Sequence, residues 1–243
     1  MPRTLVAVPV YNEQQYVRPV LAEIRKYADD VLVIDDGSTD RTPSMLAELS
    51  VDVIRHAGNR GYGRSIRDAF RWAQCYGYDW LITMDCDEQH EPASLPDFYK
   101  AIERDSADVL SGSRYLSTEQ CGDPPPADRR AINSRITQQL NERLGYELTD
   151  AFCGFKAYRV AALKPLTLDV DGYAMPLQFW VQAAAHGLRV EEVPIRLIYN
   201  DPNRSFGGPL DDAEQRLAHY LEVLNQELER CAEKLAALCP CRG

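Results

Sequence analysis

No stretch of this chain reaches the ~18 consecutive apolar residues that a membrane-spanning helix needs. The opening MPRTLVAVPVYNE enters an apolar strand pattern at once, with no secretory h-region. The expectation is a cytoplasmic protein with no transmembrane segment or signal peptide. Basic charge is also short: 27 Lys and Arg stand against 37 Asp and Glu, a formal net charge of -10. Phosphate backbones are bound through clustered cations that release counterions, so nucleic acid is not an expected partner and any anionic ligand must be held locally. The seven cysteines are odd in number and scattered, which suits reduced thiols better than a disulfide framework. Only Cys239 and Cys241 lie close together, and without a second ligand pair they make a poor zinc site. There is no internal repeat. With 243 residues and 45% apolar content the chain can fill one sizeable core.

What the sequence does contain is alternation. Apolar runs at Leu5–Val10, Val31–Ile34, Val51–Ile54, Trp80–Met84 and Asp108–Leu110 read as strands. Helical patterns fall between them: one ending near Tyr27, then Pro43–Leu49, Gly63–Tyr76 and Leu95–Arg104. Further on come a helix at Ala131–Leu144, an extended segment at Phe155–Tyr158, a helix at Leu177–His186 and a strand at Val190–Ile198. Such alternation implies crossover connections and an α/β fold with a mostly parallel sheet, covered on both faces. Two segments break the pattern. Ser113 to Arg130, with Asp123-Pro124-Pro125-Pro126, reads as a mobile active-site loop, and Tyr199 to Pro209 as a candidate lid.

Ligands of such sheets bind beyond the carboxyl ends of the strands, and three acidic clusters fall there. They are Pro9-Val10-Tyr11-Asn12-Glu13, Asp35-Asp36-Gly37-Ser38-Thr39-Asp40, and Asp85-Cys86-Asp87-Glu88-Gln89-His90-Glu91-Pro92. Two carboxylates two residues apart at a strand end can share one divalent ion, and with Gln89 the oxygen-rich set suits Mg²⁺ or Mn²⁺ better than zinc. A bare D-x-D arises easily by chance in an acidic loop; the three clusters at one sheet edge make the stronger signal. Asp40, standing before the second helix, is the better cap candidate there, which leaves Asp36 free for a ligand. Arg130 and Ser134 are spaced so that both can face one anion near a helix start.

Together, PVYNE at 9–13, DDGS at 35–38, NRGYGRSIRDAF at 59–70, MDCDEQHEP at 84–92 and GSRY at 112–115 resemble a family 2 glycosyltransferase. The likeness is greatest to the dolichol-phosphate or polyprenyl-phosphate mannosyltransferase branch and covers roughly residues 4 to 198. It implies a GT-A fold, Rossmann-like with a mixed central sheet, over 1–209, followed by a C-terminal amphipathic helix and tail over 210–243. It also implies inverting transfer of a hexose from a nucleotide-diphosphate sugar, GDP-mannose or a UDP-sugar such as UDP-glucose. By the resemblance, Pro9, Tyr11, Glu13, Asp36 and Asp85 bind the donor, Arg204 reaches its diphosphate, and Asp85, Asp87 and Gln89 surround the metal. Arg130 and Ser134 are assigned to an acceptor phosphate. Asp87, Arg114 and Asp150 are the candidate catalytic residues, Asp150 as the base if the acceptor is an alcohol. The chain departs from the branch at Asn200–Gly208, where an R-x-x-G-x-S-K type loop is usual, and at the C-terminus, where many relatives carry membrane helices.

In place of those helices, Leu217, Leu221, Leu224, Leu228, Cys231, Leu235 and Leu238 recur at alternating spacings of four and three, a heptad seam. Three occupants are open for it: the chain's own domain, a second copy in a homodimer, or a membrane surface. Three functions remain open as well. The leading one is a hexosyltransferase acting on a polyprenyl phosphate, peripheral to the membrane. The others are a transferase of the same fold with a soluble or glycan acceptor, and a non-catalytic nucleotide-sugar-binding subunit.

Overall fold

The computed structural model describes residues 2–86, 91–116, 126–196 and 208–238. Seven described strands form one sheet: β1 (Thr4–Val10), β2 (Val31–Asp35), β3 (Asp52–Arg55), β4 (Trp80–Thr83), β5 (Val109–Ser113), β6 (Lys156–Arg159) and β7 (Val190–Pro194). Their spatial order is β3-β2-β1-β4-β6-β5-β7. Every pairing is parallel except those of β6, which runs antiparallel to both β4 and β5. The α/β fold is therefore GT-A-like, with a mostly parallel mixed sheet.

Strand burial explains the topology. All five residues of β2, and all four of β4, are buried, the signature of strands covered on both faces. In β1 the period of two sends Leu5 and Ala7 into one core cluster and Val6, Val8 and Val10 into another. The first face is covered by α3 (Tyr62–Cys75), α5 (Ala127–Leu144) and α6 (Met175–Ala185). The second is covered by α1 (Val17–Ile24) and α4 (Leu95–Glu103), while the short α2 (Thr42–Leu46) also adds Leu46 to that side. Within α3, Ile66, Ala69, Phe70 and Ala73 are buried, the i, i+3, i+4, i+7 stripe of an amphipathic helix.

Element boundaries differ from expectation in two places that matter. The fifth helix starts at Ala127 rather than Ala131, so Arg130 is helical and not part of an irregular loop. The last strand ends at Pro194. The segments 117–125 and 197–207, in which most of the expected loop and lid fall, lie outside the described residues.

The C-terminal helices, α7 (Ala213–Arg230) and α8 (Ala232–Leu238), lie on the chain's own domain, α7 against α5 and α6. The buried stripe of α7, continued at Cys231, is not the leucine seam. It runs Arg216, Tyr220, Leu224, Glu227, Cys231, sharing Leu224 and Cys231 with the seam and leaving Leu217, Leu221 and Leu228 half-buried on its flank. Polar groups displace the register. Glu227 accepts from Gln178 Nε2 at 2.9 Å and Gln182 Nε2 at 2.8 Å, both on α6, so the buried carboxylate is hydrogen-bonded as burial demands. No helix among the described residues is long and apolar enough to cross a membrane.

Candidate active site

The carboxyl ends of β1 and β2 are stitched together by Asn12. Its backbone is left-handed, with φ 58°, a conformation Asn tolerates better than most residues. Its Oδ1 accepts from Thr39 N at 2.8 Å, while its own amide donates to Ser38 Oγ at 2.9 Å. Gly37 beside it has φ 76°, and a Cβ there would collide with the Gly58 backbone, so only glycine lets the two loops close up. Asp40 accepts from Thr42 N at 2.9 Å and from Gln14 N at 3.1 Å, so it holds the first amide of α2 and joins that turn to the first loop.

Asp36, expected to be free, is the hub of this edge. It is 4% exposed, and its carboxylate accepts from the amides of Arg60 and Gly61, both at 2.8 Å. His56 Nδ1 lies 2.6 Å from Asp36 Oδ1, and His56 Nε2 lies 3.0 Å from Asp68 Oδ2. Asp36 thus ties the 56–61 loop to the end of β2. Its neighbour Asp35 pairs with Arg55 at 3.2 Å. Tyr11 is 44% exposed at the mouth, Pro9 is half-buried in β1, and Glu13 is buried with its carbonyl accepting the Val17 amide at 2.9 Å.

Asp85 stands just past β4. A Cβ on Gly154 would overlap the Asp85 carboxylate, so the glycine is a cradle for it. Thr83 Oγ1 donates to Gly154 O at 2.8 Å and fixes that cradle against β4. Burial, and after it the charge of Asp85, pushes the Tyr62 phenol well up, which places α3's first residue in the same neighbourhood. Tyr62 stacks on Tyr173 at 5.8 Å. An oxygen donor held against bare backbone, with room kept for it by a glycine, fits a hard divalent cation. Among the described residues no three His, Cys, Asp or Glu side chains gather as a metal group. Asp87, Gln89 and His90 lie outside the described residues, as does Arg204.

The far side of the site is built on β5, α5 and the turn before β6. Arg114 donates to Asp150 through Nε at 2.5 Å and Nη2 at 2.8 Å, a bidentate pair, and Asn133 Nδ2 adds a third bond at 2.9 Å. Burial alone would push the fully buried Asp150 carboxyl up. The charge and hydrogen bonds of Arg114, helped by Asn133, outweigh it and hold the group down to about 2. Asp150, the candidate base for an alcohol acceptor, has both oxygens engaged and is held low, which makes it a weak proton acceptor near neutral pH. It pairs with Arg114 through both oxygens. Glu192 on β7 holds the same turn, accepting from Thr149 N at 2.9 Å and Asp150 N at 3.1 Å.

Arg130 and Ser134 do come together. Both line a cavity of about 370 Å³ with Tyr115, Thr137, Gln138, Asn141, Glu142, Leu148 and Thr149. The Tyr115 ring lies between the two arginines, 5.6 Å from Arg114 Cζ and 5.8 Å from Arg130 Cζ.

Two further residues support the site from behind. Lys156 is buried, donates to the Cys153 carbonyl and lies 5.5 Å over the Trp180 ring. Burial pushes its ammonium down, against the pull of Asp150 and Asp85. Trp180, fully buried on α6, donates from Nε1 to Ala151 O at 2.9 Å and so pins the 150–154 turn from behind. A tryptophan inside an apolar pattern carries no spacing signal; the pairing of β6 with β4 places Lys156, and the packing of α6 places Trp180, behind the site.

A profile described as Glycosyl transferase family 2 matches residues 5–167. The chain is 32% identical over 213 residues to an undecaprenyl-phosphate mannosyltransferase of Micrococcus luteus, covering 84% of this chain and 86% of that protein. It is 31% identical over 205 residues to a polyprenol monophosphomannose synthase of Mycolicibacterium smegmatis, covering 79% and 76%. Among solved structures, a glucosyl-3-phosphoglycerate synthase of Mycobacterium tuberculosis, in complex with Mn²⁺, UDP and glucosyl-3-phosphoglycerate, shares the fold with TM-score 0.71 at 17% identity. That likeness covers 95% of this chain and 80% of that one. The chain belongs to glycosyl transferase family 2.

Proposed function

We propose that this glycosyltransferase moves a hexose, mannose or glucose, with inversion from GDP-mannose or UDP-glucose onto a polyprenyl phosphate at a membrane surface. The observation that carries the reading is Arg130 and Ser134, one turn apart on α5 and both lining one cavity beside the Arg114–Tyr115 pair. Arg130 and Ser134 would clamp the acceptor phosphate, with Arg114 held toward it by Asp150. Pro9, Tyr11, Glu13 and the loop shaped by Asp36 would receive the donor's base and ribose. Asp85, with Asp87 and Gln89, would hold Mg²⁺ or Mn²⁺; the bound ion would offset charge building on the leaving diphosphate.

A phosphate monoester is already ionised near neutral pH, so its oxygen attacks without a base. Asp150, paired and held low, suits such a reaction, in which positioning and electrostatics carry the rate. One observation favours a second reading, a soluble phosphate-bearing acceptor: the cavity's outer lining of Gln138, Asn141 and Glu142 is polar. The test presents undecaprenyl phosphate and 3-phosphoglycerate separately with labelled GDP-mannose or UDP-glucose and Mn²⁺, to wild type and Arg130→Ala. Labelled lipid that disappears in the variant supports the leading reading. Label on the soluble acceptor alone replaces it with the second, and label on neither acceptor with either donor sinks both.

A further inference from the structure

The first turn of α5, which carries Arg130, lies at the surface, with Ala127, Asp128 and Arg130 exposed. Burial along the helix begins only at Ile132, and Pro126 before it offers no side-chain cap. Helix ends without such anchors fray and open at low free-energy cost. Yet this turn must present an arginine in a fixed pose, since a small misplacement of a positioning group costs large factors in rate.

The anchor comes from α7. Arg216, 2% exposed, donates from Nη2 to Asp128 Oδ2 at 2.7 Å and from Nη1 to Leu210 O at 2.7 Å. Asp128 is in that first turn, two residues before Arg130. One turn further along α7, Tyr220 stacks on Phe152 at 5.0 Å, and the Phe152 amide donates to Asp150 Oδ1 at 3.2 Å. One half of α7 therefore reaches both segments that aim arginines at the cavity, while the other half docks on α6 through Glu227.

We propose that α7 is a positioning element of the acceptor site, with Arg216 and Tyr220 fixing the segments that carry Arg130 and the Asp150–Arg114 pair. The inference rests on the acceptor-phosphate reading of that cavity. Arg216 is a positioning residue; it acts through Asp128 and touches no reactant. The leucine pattern that drew attention to this helix is its flank, and the polar residues within its buried stripe are what couple it to the site.

Hydrogen exchange over residues 127–134 and calorimetric binding of farnesyl phosphate test this, on Arg216→Met, Arg216→Lys, Glu227→Gln and Arg130→Ala. Arg216→Met is expected to speed exchange in that turn and weaken farnesyl phosphate about tenfold, while leaving UDP and GDP binding within about twofold. Arg216→Lys should restore part of both. Glu227→Gln, which loosens only the far half of α7, should change neither. Should Arg216→Met fail to fold, Asp128→Asn breaks the same contact from its half-exposed side. Unchanged exchange in the first turn, or equal losses in the Arg216→Met and Glu227→Gln variants, overturns the inference. If Arg130→Ala binds farnesyl phosphate as wild type does, the acceptor reading fails; the exchange result still decides whether α7 holds the turn.

Discussion

Asp150 shows how much one buried carboxylate can decide. Its partner Arg114 is 16% exposed by side chain, so the pair sits in low dielectric, where removing one member leaves an uncompensated charge. Asp150→Asn is therefore expected to cost about 3–5 kcal/mol in chemical denaturation. A loss under 1 kcal/mol would show that Arg114 is solvated and the pair loose. The sign of the pH dependence follows from the same geometry. The folded-state pKa is depressed from 3.8 to about 2, so the contribution is complete above pH 4 and disappears as the pH falls through about 2. Wild type should lose more stability across that window than Asp150→Asn, in which Asp108, held down to about 2 chiefly by Arg189, still contributes. A parallel acid limb in both would remove Asp150 as its source.

Gly154 is the other residue on which much turns. Alanine there would push the Asp85 carboxylate from its cradle, while the core groups around it keep their places. Gly154→Ala should weaken Mn²⁺-dependent nucleotide binding about tenfold or more, with thermal stability nearly unchanged. Binding equal to wild type would detach Asp85 from the metal. Neither role was fully legible in the sequence. Asp85 stands out because it follows an apolar strand, and its acidic neighbours make a pattern. Gly154 and the Arg114–Asp150 pair do not stand out in that way. Their partners lie 69 and 36 residues away in the chain, and only the antiparallel insertion of β6 between β4 and β5 brings them together.

Among the elements, β2 and β4 are legible because full burial writes itself as unbroken apolar runs, and α3 because its stripe has the helical period. The start of α5 lies four residues before the expected one, since its first turn, Ala-Asp-Arg-Arg, is polar and follows prolines; the contact of Asp128 with Arg216 ties that turn to α7, which no local pattern encodes. In the C-terminal helix the leucine seam and the buried stripe coincide only at Leu224 and Cys231, for a related reason. Hydrophobicity picks out leucines, whereas the buried stripe includes an arginine and a glutamate whose partners are on other elements. Two alanine substitutions compare the leucine that stripe and seam share with the one at the seam's exposed end. Leu224→Ala, at 0% exposure, should cost about 2–5 kcal/mol, whereas Leu238→Ala, at 51% exposure, should stay within about 0.5 kcal/mol. Equal losses would restore the leucine seam as the buried face.

For the molecule as a whole, charge sets the terms on which a donor can bind. The formal net charge is -10, and a nucleotide diphosphate is itself anionic, so the long-range field opposes capture. At the donor edge Asp36 is offset by the Arg60 and Gly61 amides and by His56, and Asp35 by Arg55. The described basic groups nearest the acceptor cavity, Arg114 and Arg130, are given over to Asp150 and to the cavity. On the proposed reading, a cation held by Asp85 and its neighbours would supply much of the local compensation for the diphosphate. Nucleotide-diphosphate affinity should fall at least about 100-fold, roughly 3 kcal/mol, when Mn²⁺ is replaced by EDTA. Raising the salt at constant Mn²⁺ should change it only a few-fold, because contacts at a partly buried site are screened weakly. Affinity that survives EDTA but collapses with salt would mean the reverse: the diphosphate is held by exposed side chains, and the acidic cluster at Asp85 serves something other than the donor.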